Sequence, residues 1–358
     1  MSTQERMSTR ERVARMFEHQ DADRIPVTDI PWDGTIARWQ KEGMPKDAEY
    51  TEYFGLDHMV LLFADNSPRF EEKTIEETET YRIYTTRWGA TQKELKGLDT
   101  TPEYLDFKIP DRESYEKYKD RIAPDEDRID WAGLKRNYKR QRENGAWMSA
   151  DLYFGFDWLH SRVVGTENML MALIEDPEWC SEMFNHFLNT HLALFDRMWD
   201  AGYVFDAVRW PDDMGYKGTT FFSKDVYREI LKPVHKKAID WAHAKGIKAC
   251  MHSCGNITSF IDDFVEIGLD CLNPLEVKSG IDPLAVKKEY GGRLVLHGGL
   301  NAALFSDTEA FLEAMRATIP VMKENGGYIF SSDHSVPPQV SAVDFRRIVE
   351  EAKRLGKY

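Results

Sequence analysis

The strongest chemical signal in the sequence is the hexapeptide MHSCGN at residues 251–256. His252 and Cys254 are separated by one residue, and in an extended segment such residues point to the same side. An imidazole and a thiolate on one face are preferred ligands of Zn²⁺. A packed cysteine beside a locally hydrogen-bonded histidine is the alternative. The position of the pair at a predicted strand end, before a glycine and a helix-capping asparagine, favours the metal half-site.

A zinc site needs at least one further protein ligand, and three other predicted strand ends offer one. They contribute Glu276, His297 and the pair Asp333-His334. His334 is the predicted third ligand, because only its strand end combines a ligand with a stiff Pro-Pro turn. Asp333 would face away from the metal and is predicted to orient the substrate. His297 precedes Gly-Gly, and both a buried core histidine and a substrate contact fit that position.

Two further groups of residues follow predicted strands or crowd the loops between elements. Asp212 and Asp213 are adjacent carboxylates before a glycine, and such a pair can bind a cation, hold a polar substrate or exchange a proton. A helix cap with a solvated neighbour is the alternative for this pair. Aromatic residues crowd several of the loops, where they could either line a substrate pocket or form the edge of the core. The residues that we assign to a substrate pocket are Trp32, Tyr153 and Trp158.

The elements that must position these residues are short apolar runs alternating with amphipathic helical patterns. Such a βαβα rhythm predicts a parallel sheet covered by helices. Eight runs favour a closed (β/α)8 TIM barrel, whose functional residues lie at the carboxyl ends of the strands. No G-x-G-x-x-G follows a predicted strand, which weighs against a dinucleotide-binding sheet. The predicted strands are residues 25–30, 59–64, 147–151, 205–210, 247–252, 270–275, 294–299 and 327–332.

The helical patterns and the first part of the chain complete the predicted architecture. Pro233 should kink or divide the helix predicted over 224–245. Residues 77–97 alternate with period two around a turn near Trp88, which predicts an inserted β-hairpin. We therefore expect N-terminal helices, a single barrel domain over residues 1–358, and a decoration of hairpin and helices over 65–145. The other predicted helices are residues 256–267, 307–325 and 342–354.

The composition excludes several classes of function. The chain has 358 residues, with 47 lysines and arginines against 61 aspartates and glutamates, for a net charge of −14. Without a basic tract, a nucleic-acid partner is excluded. No apolar run approaches the roughly 18 residues of a membrane helix, and the N-terminal segment lacks the apolar stretch of a secretory signal. Four cysteines are too few for a disulfide framework. We therefore predict a cytoplasmic protein without a membrane partner.

Several segments resemble the uroporphyrinogen decarboxylase superfamily. They are the opening ERVARMFEHQDADRIPV, the run RVVGTENMLMALIEDPEW, and the later runs KGIKACMHSCGN, EIGLDCLNPLE and RLVLHGGLN. The resemblance covers nearly the whole chain and implies a (β/α)8 barrel. True decarboxylases of this superfamily carry an arginine-rich signature of the kind M-R-Q-A-G-R, which binds substrate propionates. Residues 28–35 read TDIPWDGT instead, so the signature is absent.

The resemblance therefore implies the other branch, the zinc-dependent methyltransferases that work with a methylated corrinoid protein. That branch uses an H-x-C motif, matched by His252 and Cys254, and a third ligand at the last strand, usually a cysteine. His334 stands at that place, which departs from the family pattern. The chain has no D-x-H-x-x-G signature, so the corrinoid (cobalamin) is expected on a separate partner protein.

The activity implied is methyl transfer between a small substrate and that corrinoid protein. A thiol such as coenzyme M would accept the methyl group, whereas a methoxylated compound would donate it, as in O-demethylation. Asp212, Asp213 and Glu276 are then expected to orient the substrate or exchange a proton. A homodimer is an open alternative for the oligomeric state.

Two other functions fit the same barrel. A metal-independent decarboxylase of a porphyrinogen-like or other carboxylic acid would show activity without metal and a basic pocket. A non-catalytic barrel that binds a corrinoid or a small molecule would show binding without turnover.

Overall fold

The structure is a computed structural model that describes residues 7–97 and 100–358. Its strands form one large parallel sheet and two small antiparallel sheets. In chain order the strands are β1 (Met59–Leu62), β2 (Lys73–Glu77), β3 (Tyr81–Thr85), β4 (Ala90–Leu95), β5 (Glu103–Phe107), β6 (Trp147–Asp151), β7 (Ala207–Pro211), β8 (Gly215–Tyr216), β9 (Thr219–Thr220), β10 (Lys248–His252), β11 (Cys271–Asn273), β12 (Val295–His297) and β13 (Tyr328–Ile329).

The parallel sheet has seven strands in the order β1-β6-β7-β10-β11-β12-β13, and every adjacent pair is parallel. The segment before β1 lies between its two edges. Val27 forms a parallel bridge with Phe330, and the Asp57 N–H donates to the Val27 carbonyl at 2.8 Å. The predicted (β/α)8 TIM-barrel fold is therefore confirmed.

Residues 25–30, predicted as the first strand, correct one detail of that prediction. They form a single bridge rather than a regular strand. Pro26 and Pro31 have no N–H to donate to a ladder, so continuous pairing cannot extend through the segment. The other predicted strands coincide with β1, β6, β7, β10, β11, β12 and β13, although several are shorter than predicted.

The helices surround this sheet. The helix predicted over 224–245 is divided as expected, because a π-helical turn, Tyr227–Leu231, precedes the segment that contains Pro233. In chain order the helices are α1 (Thr9–Phe17), α2 (Asp33–Lys41), α3 (Tyr50–Phe54), α4 (Arg112–Tyr118), α5 (Trp131–Glu143), α6 (Gly155–Leu159), α7 (Thr166–Glu175), α8 (Pro177–Asp200), α9 (Lys224–Val226), α10 (Lys232–Ala244), α11 (Ile261–Glu266), α12 (Pro283–Tyr290), α13 (Thr308–Met322) and α14 (Ala342–Leu355).

Helix α1 covers the N-terminal end of the barrel. Phe17 stacks on Trp147, the first residue of β6, with ring centroids 5.3 Å apart. The first turn of α1 is held by a capping box, in which the side chains of Ser8 and Glu11 each accept the other residue's backbone N–H. Burial of the apolar face of α1 against the starts of the strands keeps water from this end of the barrel.

Four charged residues, here called the basal ion cluster, lie on α1 or next to it: Arg12, Asp23, Arg24 and Asp57. The Arg12 and Arg24 guanidiniums each lie 2.5 Å from the Asp57 carboxylate, and Arg12 also pairs with Asp23 at 2.8 Å. Arg12, Arg24 and Asp57 are buried. The cluster ties α1 to the segment that enters β1.

The insertion between β1 and β6 contains more strands than predicted. Strands β3 and β4 form the expected hairpin around Trp88, but β2 and β5 pair on either side to make a four-stranded antiparallel sheet. Strand β2 is exposed along its whole length, so it has no apolar alternation by which its sequence reveals it.

Among the described residues, no helix combines the length and the apolar character needed to cross a bilayer. The assignment of residues 1–358 to one domain stays a prediction.

Candidate metal centre at the carboxyl end of the barrel

Three side chains with metal-ligand chemistry converge where β7 and β10 end. Ligand atoms of Asp213, His252 and Cys254 all lie within 4.8 Å of one another. His252 Nε2 is 3.3 Å from Cys254 Sγ and 3.7 Å from Asp213 Oδ1. All three side chains are partly buried. This group, here called the Asp-His-Cys cluster, offers oxygen, nitrogen and sulfur donors.

The register of two neighbouring strands brings the cluster together. His252 pairs with Pro211 in the parallel ladder between β10 and β7. The residues two positions beyond each partner, Cys254 and Asp213, therefore lie side by side. The Cys254 N–H donates to Asp213 Oδ1 at 2.7 Å, which fixes the carboxylate against the thiol.

Glycine is required where these two loops meet. Gly255 has a φ of 81°, a left-handed conformation that L side chains rarely adopt. A Cβ at this position would also overlap the backbone of Gly215. The glycine that follows the H-x-C motif therefore allows the β10 loop to approach the β7 loop closely enough to complete the cluster.

The hydrogen bonds of Asn273 set the tautomer of His252. Asn273 Nδ2 donates to the His297 carbonyl at 3.2 Å, so its Oδ1 is the atom that faces His252 Nδ1, at 2.7 Å. Nδ1 therefore carries the proton, and the lone pair of Nε2 points into the cluster. Burial lowers the pKa of His252, which keeps the imidazole neutral and able to coordinate a cation.

The thiol of Cys254 lies in surroundings that disfavour a bare thiolate. Burial raises its pKa well above the ordinary value, and the nearby charges of Asp213 and Glu276 raise it further. A bound cation would supply the missing positive charge and release the thiol proton. The donor set and this excess of negative charge fit Zn²⁺.

His334, the predicted third ligand, lies elsewhere on the rim. Its side chain is exposed, its Nδ1 accepts the Ser335 N–H at 2.9 Å, and its ring centroid is 5.9 Å from that of Trp32. The structure groups Asp213, and not His334, with His252 and Cys254. A ligand role for His334 stays a prediction.

The adjacent carboxylates Asp212 and Asp213 point in different directions. Asp212 is fully buried, with Oδ2 2.7 Å from His235 Nε2 and Oδ1 accepting the Asp157 N–H at 2.7 Å. Burial raises the pKa of Asp212. Only Asp213 therefore reaches the cluster, whereas Asp212 fastens the loop that begins α6.

Asp333 also fastens loops. Its Oδ2 accepts the Val277 N–H and its Oδ1 accepts the Ala302 N–H, each at 2.8 Å. The side chain is buried, and burial raises its pKa against the lowering effect of these donors. Asp333 thus links the loops after β11 and β12 instead of facing a cavity.

Glu276 both fastens a loop and contributes negative charge near the Asp-His-Cys cluster. Its Oε2 accepts the Gly255 N–H, and its Oε1 lies 3.3 Å from Lys278 Nζ. Burial alone would raise the pKa of Glu276, but the Gly255 N–H, Ser279 and Lys278 hold it below the ordinary value. It is therefore a carboxylate that holds the H-x-C loop and adds negative charge beside Cys254.

His297 lies inside the barrel. Its Nε2 is 2.9 Å from Thr28 Oγ1, which donates to the Phe330 carbonyl at 3.1 Å, so Nε2 carries the proton. Burial lowers the pKa of His297 to about 3, so the ring is neutral. The side chain is partly buried, and a substrate contact of His297 stays a prediction.

The predicted aromatic contacts lie beside two charged residues that sequence reasoning missed. Tyr153 stacks on Trp158 with ring centroids 3.9 Å apart, and its hydroxyl donates to Asp151 at 2.8 Å. Asp151 also pairs with Arg209 at 3.0 Å across the β6–β7 ladder. A charged residue near the end of each otherwise apolar strand was the signal available in the sequence.

A cavity of about 760 Å³ lies between the Asp-His-Cys cluster and the inserted sheet. Asp213 borders it on one side, and Tyr104 of β5 borders it on the other. Burial, with the charge of Asp213, raises the pKa of Asp157 in its wall to about 8, against the lowering effect of the Arg162 charge. Burial lowers the pKa of His160, also in the wall, to about 4.

Sequence reasoning missed Asp157 and His160, because their loop was singled out only for its aromatic side chains.

A second cavity of about 380 Å³ is bordered by Cys254, Glu276 and Lys278. Gly215 borders both cavities, so the cluster lies between them.

Known proteins resemble this chain in sequence and in fold. Residues 158–355 match the family model described as uroporphyrinogen decarboxylase (URO-D). A uroporphyrinogen decarboxylase from Helicobacter pylori (strain P12) is 28% identical over 153 residues, which are 41% of this chain and 39% of that protein. The chain thus spans about two fifths of that curated relative. A solved methyltransferase from Methanosarcina mazei has a TM-score of 0.67 at 16% identity, covering 97% of this chain and 99% of that one, which shows a shared fold.

Proposed function

This chain belongs to the uroporphyrinogen decarboxylase family, and on that premise we propose that it is a zinc-dependent methyltransferase. It moves a methyl group between a small substrate, either a methoxylated compound or a thiol, and a corrinoid carried by a separate protein in the cytoplasm. The observation that carries the proposal is the Asp-His-Cys cluster, in which a neutral imidazole nitrogen, a thiol and a carboxylate lie within 4.8 Å at the mouth of the barrel.

Asp213, His252 and Cys254 would hold the zinc. When bound, Zn²⁺ supplies a Lewis acid that lowers the pKa of a substrate thiol or polarises an ether oxygen. We propose Asp213 as the third ligand in preference to His334, because its carboxylate already contacts the other two residues. Asn273 holds the imidazole in the coordinating tautomer.

The surrounding residues position the cluster and the substrate. Glu276 fastens the H-x-C loop, so the thiol is held by a rigid backbone. The cavity of about 760 Å³ is large enough for a small organic substrate and opens onto Asp213. Asp157 lies in its wall with a raised pKa, which suits it to exchange a proton with a substrate oxygen; Asp212 has no such access.

The test is methyl transfer with free cobalamin in place of the partner. Zinc-loaded protein is mixed with reduced cobalamin and a panel of methoxybenzenes, or with methylcobalamin and 2-mercaptoethanesulfonate, and the cobalamin spectrum is followed. We expect transfer in one of the two reactions, its loss in Cys254→Ala, and its retention in Cys271→Ala, whose cysteine lies at the opposite end of the barrel. The proposal would be overturned if neither reaction showed transfer with free cobalamin and neither showed it when the corrinoid protein of the same organism replaced the cobalamin.

A metal-independent decarboxylase is the second candidate, because the curated relative carries that name and matches 153 residues of this chain. Arg162 beside the larger cavity is a cation to which an acidic substrate can bind. This candidate predicts CO₂ release that persists in the presence of a chelator and in Cys254→Ala. A methyltransferase predicts the opposite result in both experiments.

A further inference from the structure

Arg162 lies in the wall of the same cavity that Asp213 borders. Its guanidinium is 3.9 Å from the centroid of the Trp158 ring, and its Nη1 donates to Ser161 Oγ at 2.7 Å. The residue is partly buried. The indole and the hydroxyl therefore hold the guanidinium in one place without neutralising its charge.

In the part of the chain that the structure describes, Arg162 forms no ion pair. Asp157 and Glu167 also line the cavity, but neither carboxyl group lies within 4.0 Å of the guanidinium. By contrast, Arg209 near the end of β7 pairs with Asp151 at 3.0 Å. A partly desolvated cation without a counter-charge favours an anionic ligand.

The rest of the cavity wall defines the shape of that ligand. Tyr104, Phe107 and Phe221 present aromatic surface, and Asp213 lies on the wall that leads to the Asp-His-Cys cluster. The planar, forked guanidinium matches a carboxylate, to which it can donate two hydrogen bonds. A molecule that fits must therefore carry an anion at one end and aromatic surface along its length.

We propose that the substrate is a small aromatic carboxylate, whose carboxylate pairs with Arg162 while its opposite end reaches the Asp-His-Cys cluster. The reaction at that opposite end rests on the proposed function, whereas the anion site rests on the contacts of Arg162 alone. Arg162 is thus a residue that determines substrate specificity.

Binding to matched probes tests the anion site directly. Isothermal titration calorimetry compares 4-methoxybenzoate with its neutral analogue 4-methoxybenzamide. We expect the wild type to bind the acid roughly ten- to a hundredfold more tightly, the range of a charge-assisted hydrogen bond. Arg162→Gln should bind both probes equally, and Arg162→Lys should keep part of the preference for the acid. The control is Arg87→Gln, which should keep the whole preference, because Arg87 pairs with Glu72 on the exposed side of the insertion.

Each contrary outcome overturns the proposal. Equal binding of the two probes by the wild type, binding of neither, or a preference for the acid that survives in Arg162→Gln excludes a carboxylate site at Arg162. Far-UV circular dichroism of each variant confirms that the barrel is folded.

A parallel transfer assay separates this proposal from the proposed function. Methyl transfer from the amide and the acid with equal efficiency would overturn the carboxylate site and leave the methyltransferase intact. Binding of the acid through Arg162 without any transfer would support the site and count against the methyltransferase.

Discussion

At the N-terminal end of the barrel, the two arginines of the basal ion cluster share Asp57, with nitrogen–oxygen distances of 2.5 Å. At the carboxyl end, Arg162 rests on an indole and has no ion pair among the described residues, and Cys254 lies in an excess of negative charge. Buried charges cost free energy unless they are paired. The basal ion cluster meets this cost within the chain, whereas we propose that a bound cation meets it at the Asp-His-Cys cluster and a bound anion meets it at Arg162.

The difference shows how charged residues of a barrel can be sorted by their partners. Asp212, Asp333 and Glu276 stand at strand ends, where catalytic groups are expected, but their carboxylates accept backbone N–H groups of neighbouring loops. They resemble the basal ion cluster in being satisfied by the chain itself. Asp213 accepts one backbone N–H as well, but it also borders the larger cavity, as Arg162 does, so these two are the better candidates for binding.

The largest expected effect comes from breaking the basal ion cluster. Asp57→Asn removes the negative charge that Arg12 and Arg24 share, so the free energy of unfolding should fall by about 3–5 kcal/mol. Urea denaturation measures this loss. Arg87→Gln breaks an exposed pair and should cost less than about 1 kcal/mol. A zinc affinity that falls together with stability in folded Asp57→Asn would contradict the separation of the two ends.

The next effect sharpens the role of the carboxyl end. Asn273→Ala removes the acceptor that holds the His252 tautomer, so zinc affinity should fall roughly ten- to a hundredfold while the barrel remains folded. Asn273→Asp keeps an acceptor for His252 Nδ1 and should retain most of the affinity. Competition with a chromophoric chelator measures both variants. Equal affinities for Asn273→Ala and the wild type would show that this hydrogen bond does not support metal binding.

The third effect is a difference in sensitivity to mild acid. Burial lowers the pKa of His191 to about 4, and its Nδ1 accepts the Tyr153 N–H at 2.8 Å. The unfolded chain takes up this proton below about pH 6.5, whereas the folded chain does so only near pH 4. Stability should therefore be retained above pH 6.5 and lost between pH 6.5 and 4, by up to about 1.4 kcal/mol per pH unit for this residue.

The measurement is the free energy of unfolding of chelator-treated protein across that pH range, for the wild type and for His191→Gln. The variant should show a shallower slope, whatever its stability at neutral pH. Identical slopes would mean that His191 is not held neutral by the fold.

The sequence predicts those parts of the site that depend on the spacing of residues within one strand and on the alternation of strands and helices. The one-residue spacing of His252 and Cys254 places both on one side of an extended segment, and the alternation of strands and helices predicts the barrel. Asp213, 41 residues before Cys254 in the chain, joins them only through the register of β7 against β10. No local pattern encodes that register, so the choice between Asp213 and His334 could not be made from sequence.

Other parts of the structure have no signal of the kind that periodicity provides. Strand β2 carries exposed side chains on both faces and is fixed by its pairing with β3. Which of Asp212 and Asp213 faces a cavity depends on His235 of α10, which binds Asp212 from outside the sheet. The interest of Arg162 lies in its having no ion pair within residues 7–97 and 100–358, and only the folded structure shows this.

The zinc content of the purified protein tests the central claim most directly. Elemental analysis after zinc reconstitution and dialysis should find about one zinc per chain in the wild type, in Cys271→Ala and in His334→Ala. Cys254→Ala and Asp213→Asn should have lost most of it. Stoichiometric zinc in Cys254→Ala, or none in the wild type, would contradict a metal centre at the end of β10.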